Sequence, residues 1–439
     1  MWIKRDLYLD KLINSKHNGQ VKIITGIRRC GKSFLLNEMF YKHLLDQGIA
    51  SDHIIKFSFD NLEHLKRINK SIKDTNQLKK KLDAEVFLDY ITLFFNDKKQ
   101  YYVLLDEIQE LPQFEYLLNA LIQKGNVDVY VTGSNSKFLS KDVITQFSSR
   151  GMEIHVSPLS FKEFYDFKNG KISDQDILKE YILFGGLPPV VLRDNPTEKH
   201  NFLKTIIEKT YLTDICQRHR VKHSDDLNDL FQYIATVPSE IINPLRMTNI
   251  LKSLKKSNIH WSTVKKYLDY FSDSYIVKQV KKINLFKNRT IGQSFKIYFS
   301  DLGLLNANNK DTNIQHINGH IIENLVHNEL LYHGYDVKSL DIEVREKNKQ
   351  GKSVLKNLEI DFFAEQFNKK PFYCQVTSQI NSKEQYEREI KPFSFLKDHN
   401  PCYLIVNDPS YQIKQNGEGI IVDNLIHFLL TIDKKSEIV

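Results

Sequence analysis

Cysteine is scarce in this chain, and its distribution argues against two kinds of site. The four cysteines, Cys30, Cys216, Cys374 and Cys402, lie far apart and form neither a CxxC pair nor a His/Cys cluster with zinc-ligand spacing. We therefore expect reduced thiols, without a disulfide framework or a structural zinc ion.

Long apolar runs are also missing. No segment offers the roughly 18 consecutive apolar residues that a membrane helix needs. The N-terminal sequence MWIKRD runs directly into charge and lacks the apolar core of a signal peptide. We therefore expect a cytoplasmic protein without a membrane partner.

Glycine and proline, at 17 and 11 of 439 residues, are too few for a collagen-like or low-complexity chain. Hydrophobic residues make up 41% and charged residues 26% of the chain, as in folded proteins. Because one domain usually spans about 100–200 residues, the length predicts two to four domains.

Short apolar runs alternate with longer helical patterns between residues 21 and 159, which is typical of a parallel sheet in an α/β domain. The predicted strands are residues 21–25, 54–59, 102–105, 127–132 and 153–156. Helical sequence follows to about residue 242, interrupted by the turn signal GGLPP at 185–189. Residues 245–289 predict a small helical module compatible with a winged helix, and a separate α/β unit begins at about residue 320.

The sequence GIRRCGKS at 26–33 fits the phosphate-binding pattern GxxxxGK[ST] between a predicted strand and a helix. In this turn, backbone N–H groups and the helix N-terminus face the β-phosphate of a nucleotide. Lys32 would bridge the β and γ oxygens, and Ser33 would ligate Mg²⁺. The alternative is a glycine-rich turn between a strand and a helix that binds no phosphate. The predicted nucleotide-binding residues are Gly26, Ile27, Arg28, Arg29, Cys30, Gly31, Lys32, Ser33 and Phe34.

A second acidic element supports the nucleotide site. The sequence YYVLLDE at 101–107 is an apolar strand that ends in two carboxylates, the pattern of a Walker B motif. Asp106 would hold Mg²⁺ through water, and Glu107 would orient and polarise the attacking water, as phosphoryl transfer to water requires. A solvated turn would explain the two carboxylates by themselves, but it does not explain why they follow a phosphate-binding pattern in this order.

Two further residues are candidates for a catalytic role. Asn135, with Ser134, follows the fourth predicted strand and would bind the attacking water or sense the γ-phosphate, although a polar N-cap explains the serines of this segment equally well. Arg150 precedes the fifth strand and would neutralise transition-state charge in its own or a neighbouring subunit. An exposed arginine without a catalytic role is the simpler interpretation.

Positive charge is concentrated between residues 245 and 290. This segment has eleven basic and two acidic residues, and its net charge of +9 exceeds the +8 of the whole chain. Such a concentration is typical of a surface that follows a phosphate backbone. DNA is therefore the predicted partner of this segment, although RNA, an acidic protein or a merely solvated lysine-rich surface would give the same pattern.

Seven motifs occur in a specific order: GIRRCGKS at 26–33, LLDEIQ at 104–109, TGSNS at 132–136, SPLSFKEF at 157–164, GGLP at 185–188, YFSDLGLL at 298–305 and EIDFF at 359–363. In this order the chain resembles the AAA-like P-loop ATPases of bacteria and archaea that carry an uncharacterised, restriction-endonuclease-like C-terminal region. The resemblance implies ATP and Mg²⁺ as cofactors. It also implies an AAA-like ATPase domain at 1–160, a helical connector at 161–244, a basic winged-helix-like module at 245–305 and a nuclease-like α/β domain at 306–439.

Nuclease-like folds of this kind use two acidic groups, a metal ion and a lysine, in the pattern D…(E/Q)xK. The corresponding residues here are Glu323, Asp361 and Gln375, but the sequence reads Gln375-Val376-Thr377, without the second carboxylate or the lysine. Lys383 on the following helix is a candidate for a displaced lysine. The departure argues against cleavage and favours a binding or dimerisation platform.

Three functions remain open at the level of sequence. The favoured one is a Mg²⁺-dependent ATPase that couples ATP binding and hydrolysis to a DNA-contacting C-terminal half. The alternatives are an ATP-gated nuclease and an ATP-dependent protein-interaction platform without nucleic acid. Self-association is also left open, because relatives of the AAA type often place an arginine in a neighbour's site.

Overall fold

The computed structural model describes residues 2–68, 82–133, 150–168, 170, 172–255, 259–285, 289–307, 319–347, 352–411, 414–415 and 419–434. The chain forms two compact units. The first comprises Met1–Pro158 with Asp273–Tyr275, and the second comprises Leu159–Ser272 and Ile276–Val439.

The first unit contains a five-stranded parallel sheet with the order β2-β3-β4-β1-β5. All five predicted strands are confirmed, with ends that differ by no more than two residues. Their bounds are β1 Val21–Thr25, β2 Ile54–Ser58, β3 Tyr101–Asp106, β4 Val127–Thr132 and β5 Gly151–His155. Because the strands are parallel, the segments that follow them meet at one edge of the sheet.

Helices flank this sheet, and their apolar faces form its core. They are α1 Asp6–Asn14, α2 at 32–46, α3 Leu62–Ile68, α4 Ala84–Thr92 and α5 Phe114–Ile122. α2 includes a π-helical segment, Leu35–Phe40. Phe87 of α4 and Leu117 of α5 pack in one cluster with Phe57, Val103 and Val131 of the sheet. Both faces of the central strands are thus buried, which explains their nearly continuous apolar sequences.

The second unit begins with a helical region. Its helices are α6 Phe161–Lys168, α7 Asp174–Phe184, α8 Pro188–Val191, α9 at 196–219 and α10 Ser224–Thr236. α9 illustrates how local sequence sets a helix start: the Asn195 side chain accepts hydrogen bonds from the N–H groups of Thr197 and Glu198, and Pro196 takes the first helical position.

A mixed sheet of nine strands dominates the rest of this unit, in the order β13-β14-β12-β11-β10-β9-β7-β8-β6. The strands are β6 Ile241–Ile242, β7 Val277–Asn284, β8 Arg289–Phe299, β9 Asp336–Lys347, β10 Ser353–Glu365, β11 Phe372–Thr377, β12 Cys402–Val406, β13 Lys414–Gln415 and β14 Ile420–Asn424. The helices are α11 Pro244–Lys255, α12 Trp261–Asp273, α13 Leu302–Asn306, α14 Gly319–Tyr332, α15 Lys383–Ile390 and α16 Leu425–Thr431.

The basic segment contributes to this sheet. β7 and β8 form an antiparallel hairpin, β6 pairs with β8, and β7 pairs in parallel with β9. Strands from the predicted 245–305 module and from the predicted 306–439 domain are therefore continuous in one sheet. The boundaries proposed within this unit stay predictions.

The GGLP and DLG motifs pack against each other. The Asp301 carboxylate accepts a hydrogen bond from the N–H of Gly186 at 2.7 Å. Gly185 has a φ of +70°, and a Cβ atom there would lie 2.2 Å from Asp301 Oδ1. A Cβ atom at Gly303 would lie 2.2 Å from the carbonyl oxygen of Phe184. These glycines are needed because backbone and carboxylate approach too closely for any side chain.

Candidate functional site

The turn between β1 and α2 depends on glycine at two positions. Gly26 has a φ of +136°, and a Cβ atom there would lie 2.1 Å from the carbonyl oxygen of Val156. Gly31, directly before α2, has a φ of +102°, in the left-handed region that favours glycine. Between them, Ile27 and Cys30 are buried, whereas Arg29 is exposed. The turn thus directs its backbone toward the N-terminus of α2.

Lys32 is the first residue of α2, and its side chain is buried within this turn. Its Nζ atom donates hydrogen bonds to the carbonyl oxygens of Gly26 at 2.9 Å and Ile27 at 3.0 Å. The ammonium group therefore lies where the turn and the helix N-terminus would hold phosphate groups. Phe34, two residues on, is 39% exposed and stands edge-on to Trp2, with ring centroids 5.4 Å apart.

The two predicted magnesium ligands are neighbours. The hydroxyl group of Ser33 donates to Asp106 Oδ1 at 3.0 Å, and the amide of Asn37 approaches Oδ2 at 3.4 Å. A hydroxyl and a carboxylate oxygen are the hard ligands that Mg²⁺ prefers, together with phosphate oxygens and water. The residues present therefore fit Mg²⁺ bound with a nucleotide.

Burial raises the pKa of Asp106, and the nearby Glu107 carboxylate raises it further, while hydrogen bonds from Thr132 and Ser33 act in the opposite direction. A carboxylate that is difficult to ionise alone gains most from a cation placed beside it. The electrostatics of this position therefore favour a bound cation.

Glu107 follows β3 in a left-handed conformation, with a φ of +51°. Its backbone N–H donates to the Thr132 hydroxyl oxygen at 3.0 Å, and the Thr132 hydroxyl in turn donates to Asp106. The Glu107 carboxylate accepts a hydrogen bond from the side-chain amide of Gln109. Thr132, at the end of β4, thus fixes the segment that carries both carboxylates.

Several of these contacts escape sequence reasoning. Asn37 can be identified from the sequence, because a residue four positions after Ser33 lies on the same face of α2. No sequence pattern identifies Arg5. Its guanidinium group donates hydrogen bonds to the carbonyl oxygens of Cys30 at 3.1 Å and Ser157 at 2.6 Å. Arg5 is 5% exposed and connects the phosphate-binding turn to the segment that directly follows β5.

The two further catalytic candidates differ in what the structure says of them. Asn135, with Ser134 and Ser136, lies outside the described residues. Arg150 is exposed, precedes β5, and donates to Asn119 Oδ1 at 3.2 Å. It lies at the amino end of the sheet, about 15 Å of strand from the carboxyl ends where Ser33 and Asp106 meet. The structure therefore does not bring Arg150 to the phosphate site of its own chain.

The basic segment of the second unit is mostly solvent-exposed where its side chains are described. The exposed basic residues are Arg246, Lys252, Lys265, Lys266, Lys278 and Lys281. Lys282 differs, because it is buried and paired with Asp341 at 3.2 Å and Glu359 at 3.0 Å. Among the side chains of this segment that the structure describes, Lys282 therefore does not contribute to the positive surface.

The structure brings the nuclease-type residues Glu323, Asp361 and Gln375 together. Asp361 N–H donates to Gln375 Oε1 at 3.2 Å, and the Nζ atom of Lys296 lies 2.7 Å from Glu323 and 4.0 Å from Asp361. Lys296 lies on β8, outside the sequence pattern that identifies the other three residues. Within the described ranges, no group of three His, Cys, Asp or Glu side chains is arranged to hold a metal ion. Nor is any described helix long and apolar enough to cross a membrane.

Two family models match parts of the chain. A family model described as an AAA domain matches residues 18–165, and a domain of unknown function (DUF8612) matches residues 175–314. The N-terminal unit thus has the AAA-type P-loop ATPase fold, in agreement with its parallel sheet and phosphate-binding turn.

Among solved structures, a Walker-type ATPase of Pyrococcus abyssi is 18% identical and covers 70% of this chain and 95% of its own, with a TM-score of 0.46. The ORC1 protein of Aeropyrum pernix, in complex with DNA, is 12% identical and covers 70% and 92%, with a TM-score of 0.27.

Two curated relatives match almost from end to end. An uncharacterized protein of Haemophilus influenzae is 30% identical over 432 residues, or 98% of each chain. An uncharacterized protein of Methanocaldococcus jannaschii is 30% identical over 447 residues, or 97% of this chain and 89% of the relative. The chain therefore belongs to the same family as these two uncharacterized proteins, a family with an N-terminal AAA domain.

Proposed function

We propose that the protein is a Mg²⁺-dependent ATPase that couples ATP binding and hydrolysis to a DNA-contacting C-terminal half. The observation that carries the ATPase proposal is the 3.0 Å contact between Ser33 and Asp106, beside the buried ammonium group of Lys32. A lysine, a hydroxyl and a carboxylate at the N-terminus of a helix supply what a nucleotide triphosphate with Mg²⁺ requires.

Each residue of the site has a distinct role in this proposal. Lys32 and the N–H groups of the turn bind the β- and γ-phosphates. Ser33 and Asp106 hold the magnesium ion, which supplies charge neutralisation at those phosphates. Glu107 orients and polarises the water that attacks in line with the leaving oxygen. Thr132 positions the segment that carries Asp106 and Glu107. Asn135, three residues further on in the sequence, is proposed to contact the γ-phosphate or the same water.

Two substitutions test the ATPase assignment. Lys32→Ala is expected to abolish ATP binding, measured by calorimetry. Glu107→Gln is expected to bind ATP normally but to lose at least about 100-fold in turnover, because the amide is a poor base. Glu110→Gln, which removes an exposed carboxylate of the same segment, is the matched control. Normal hydrolysis by the Glu107→Gln protein would refute the role of Glu107.

DNA contact is proposed for the surface formed by the six exposed basic residues named above. The order α10, β6, α11, α12, β7, β8, with β6 paired to β8, is the order expected of a winged helix and supports this proposal. α12 begins at Trp261, and its first turn would face base edges as a recognition helix does. Lys265 and Lys266 follow on the same helix and would contact phosphate groups.

A charge-matched pair of variants tests the DNA proposal. One replaces Lys252, Lys265 and Lys266 with glutamine, and the control replaces the exposed lysines Lys162, Lys179 and Lys370. If six basic residues contact phosphates, the log–log salt slope of duplex binding should be about −5 in the unchanged protein. The slope should become shallower, about −3, in the first variant only, because that variant loses three of the six contacts. Equal binding by both variants would contradict DNA contact and favour an acidic protein partner.

The remaining expectations follow from this function. A DNA partner fits the proposed cytoplasmic location, which fractionation of cells would test. An arginine-finger role for Arg150 requires a neighbouring copy of the chain, because the residue lies at the amino end of its own sheet. Sedimentation with and without ATP would show whether the chain self-associates, and a monomer under both conditions would exclude that role.

A further inference from the structure

A buried lysine occupies the centre of the nuclease-type cluster in the second unit. Lys296 is 4% exposed and lies on β8. Its Nζ atom is 2.7 Å from Glu323 Oε1 on α14 and 2.6 Å from Glu359 Oε1 on β10. The Tyr298 hydroxyl also donates to Glu323, at 2.7 Å. The ammonium group is therefore enclosed by carboxylates from two elements of the C-terminal fold.

This arrangement does not fit a catalytic metal ion. Mg²⁺ requires oxygen ligands at about 2.0–2.1 Å in octahedral geometry. Glu323 and Asp361, the carboxylates that would supply them, both lie within 4.0 Å of the Lys296 ammonium group. Lys296 pairs directly with Glu323 at 2.7 Å, so a metal ion bound by that carboxylate would have to displace the ammonium group.

The charges of the cluster support this interpretation. Burial alone would lower the pKa of Lys296, but Glu323, Asp361 and Glu359 outweigh burial and raise it above the ordinary value. Burial raises the pKa of Asp361, and the Glu323 carboxylate raises it further. The lysine thus stays charged and already supplies the positive charge that these buried carboxylates require.

The residues that replace the nuclease pattern have other partners. Gln375 Oε1 accepts the N–H of Asp361, and the Thr377 hydroxyl donates to the Gln379 carbonyl at 3.1 Å. Lys383, the candidate for a displaced lysine, is on the surface, 3.7 Å from Glu387. The cation of the cluster therefore comes from β8, outside the segment that would supply it in a nuclease.

A second buried lysine extends the same network. Lys282 of β7 binds Asp341 of β9 and Glu359 of β10. Glu359 thus forms an ion pair with one lysine from each strand of the β7–β8 hairpin. Burial opposes ionisation of Glu359, but Lys296 and Lys282 hold its pKa below the usual value. Both strands of the hairpin are joined to the C-terminal sheet by charge as well as by backbone pairing.

We infer that Lys296 is a built-in cation that takes the place of a metal ion, so that the cluster clamps the β7–β8 hairpin to α14 and β10 and does not cleave phosphodiesters. The residues that a nuclease would use for metal binding serve here to hold the β7–β8 hairpin, which carries Lys278 and Lys281 of the basic surface, on the C-terminal sheet.

The test uses full-length protein with Asp106→Asn, which removes the carboxylate ligand of the proposed metal site in the first unit. Lys296→Met in this background is expected to lower the melting temperature by at least about 5 °C, because breaking a buried pair leaves uncompensated carboxylates. Mn²⁺ should restore roughly half of that loss by binding the freed carboxylates. Adding Glu323→Gln should also recover part of the stability, without Mn²⁺.

Lys199→Met is the matched control, because Lys199 is 2% exposed and pairs with a single carboxylate, Glu180. It should lose stability without a response to Mn²⁺. An equal response of both methionine variants would overturn the inference.

A second measurement does not depend on the folding of the Lys296 variant. Electron paramagnetic resonance should detect no tightly bound Mn²⁺ in Asp106→Asn protein that retains Lys296. Tightly bound Mn²⁺ that is lost on Asp361→Asn, or Mn²⁺-dependent nicking of a supercoiled plasmid that is lost on the same substitution, would show a metal site and refute the built-in cation.

Discussion

The Asp106 carboxylate joins three elements of the N-terminal unit at the scale of single residues. It ends β3, accepts from Ser33 at the start of α2, and accepts from Thr132 at the end of β4. Thr132 also accepts the backbone N–H of Glu107. One hydroxyl group therefore positions both carboxylates that the proposed reaction uses.

Thr132→Val tests this role of the hydroxyl group. Valine keeps the shape of threonine but cannot bind Asp106 or the Glu107 N–H, and a lost hydrogen bond to a charged group is worth roughly 1–3 kcal/mol. We expect kcat for ATP to fall about 10-fold or more, while the affinity for ATP changes less. Thr132→Ser should keep most of the activity. A Val variant with unchanged kcat would show that Thr132 is only a packing residue.

What the sequence predicts at this scale depends on how local the contacts are. Lys32, Ser33, Asp106 and Glu107 stand in short patterns whose chemistry requires those residue types at that spacing. Arg5 and Lys296 act through partners that are distant in the sequence, and no local pattern distinguishes them from surface cations. Only the folded chain shows that each is buried against oxygen atoms.

At the scale of elements, α14 carries unusually many polar groups on its buried face. The Asn324 side chain accepts a hydrogen bond from the N–H of Phe299 and donates one to its carbonyl oxygen, each at 2.8 Å. Glu329 Oε1 accepts the N–H of Phe161 at 2.7 Å. These side chains replace apolar packing with specific hydrogen bonds to β8 and to the start of α6, which fixes the orientation of the helix.

Strand positions were predictable in the N-terminal unit, since each apolar run between helical patterns is one strand. The strand pairing of the second unit was not. β7 pairs with β9 across more than one intervening element, and β6 is too short to stand out as a strand. The periodicity of hydrophobic residues identifies strands, but it does not determine which strands pair with each other.

The packing of the GGLP and DLG motifs predicts a strong effect of a single methyl group. Gly303→Ala places a Cβ atom against the backbone carbonyl of Phe184, which cannot rotate away. We expect the free energy of unfolding in urea to fall by about 2 kcal/mol or more. Gly319→Ala, whose Cβ atom would meet nothing within 4 Å, is the control. Equal stabilities of the two variants would contradict this packing.

The buried Glu329 carboxyl group should make the stability of the folded chain depend on pH. Burial raises the pKa of Glu329 to about 8 in the folded chain, against about 4.3 in an unfolded one. Between these values the folded state binds a proton that the unfolded state lacks, so stability is greatest at the acidic end and falls as pH rises toward 8.

Glu329→Gln removes this titration and keeps an acceptor for the Phe161 N–H. Its melting temperature should fall less than that of the unchanged protein between pH 6 and about 8.5. The exposed Glu198→Gln should behave like the unchanged protein. Parallel pH profiles for Glu329→Gln and the unchanged protein would refute a raised pKa.

At the scale of the whole molecule, the chain separates its chemistry from its positive charge. The nucleotide-site residues belong to the first unit, whereas the exposed basic residues belong to the second. Family membership extends over nearly the full length, so the two units occur together in relatives from a bacterium and an archaeon. We propose that this combination serves coupling, in which nucleotide state changes how the basic surface engages DNA.

Coupling is tested most directly by the rate of ATP hydrolysis with Mg²⁺, with and without duplex DNA, across a salt series. The account predicts that DNA stimulates hydrolysis, that salt weakens the stimulation, and that the Lys252, Lys265 and Lys266 variant loses it while keeping its basal rate. A rate that DNA does not change at any salt concentration would contradict the coupling.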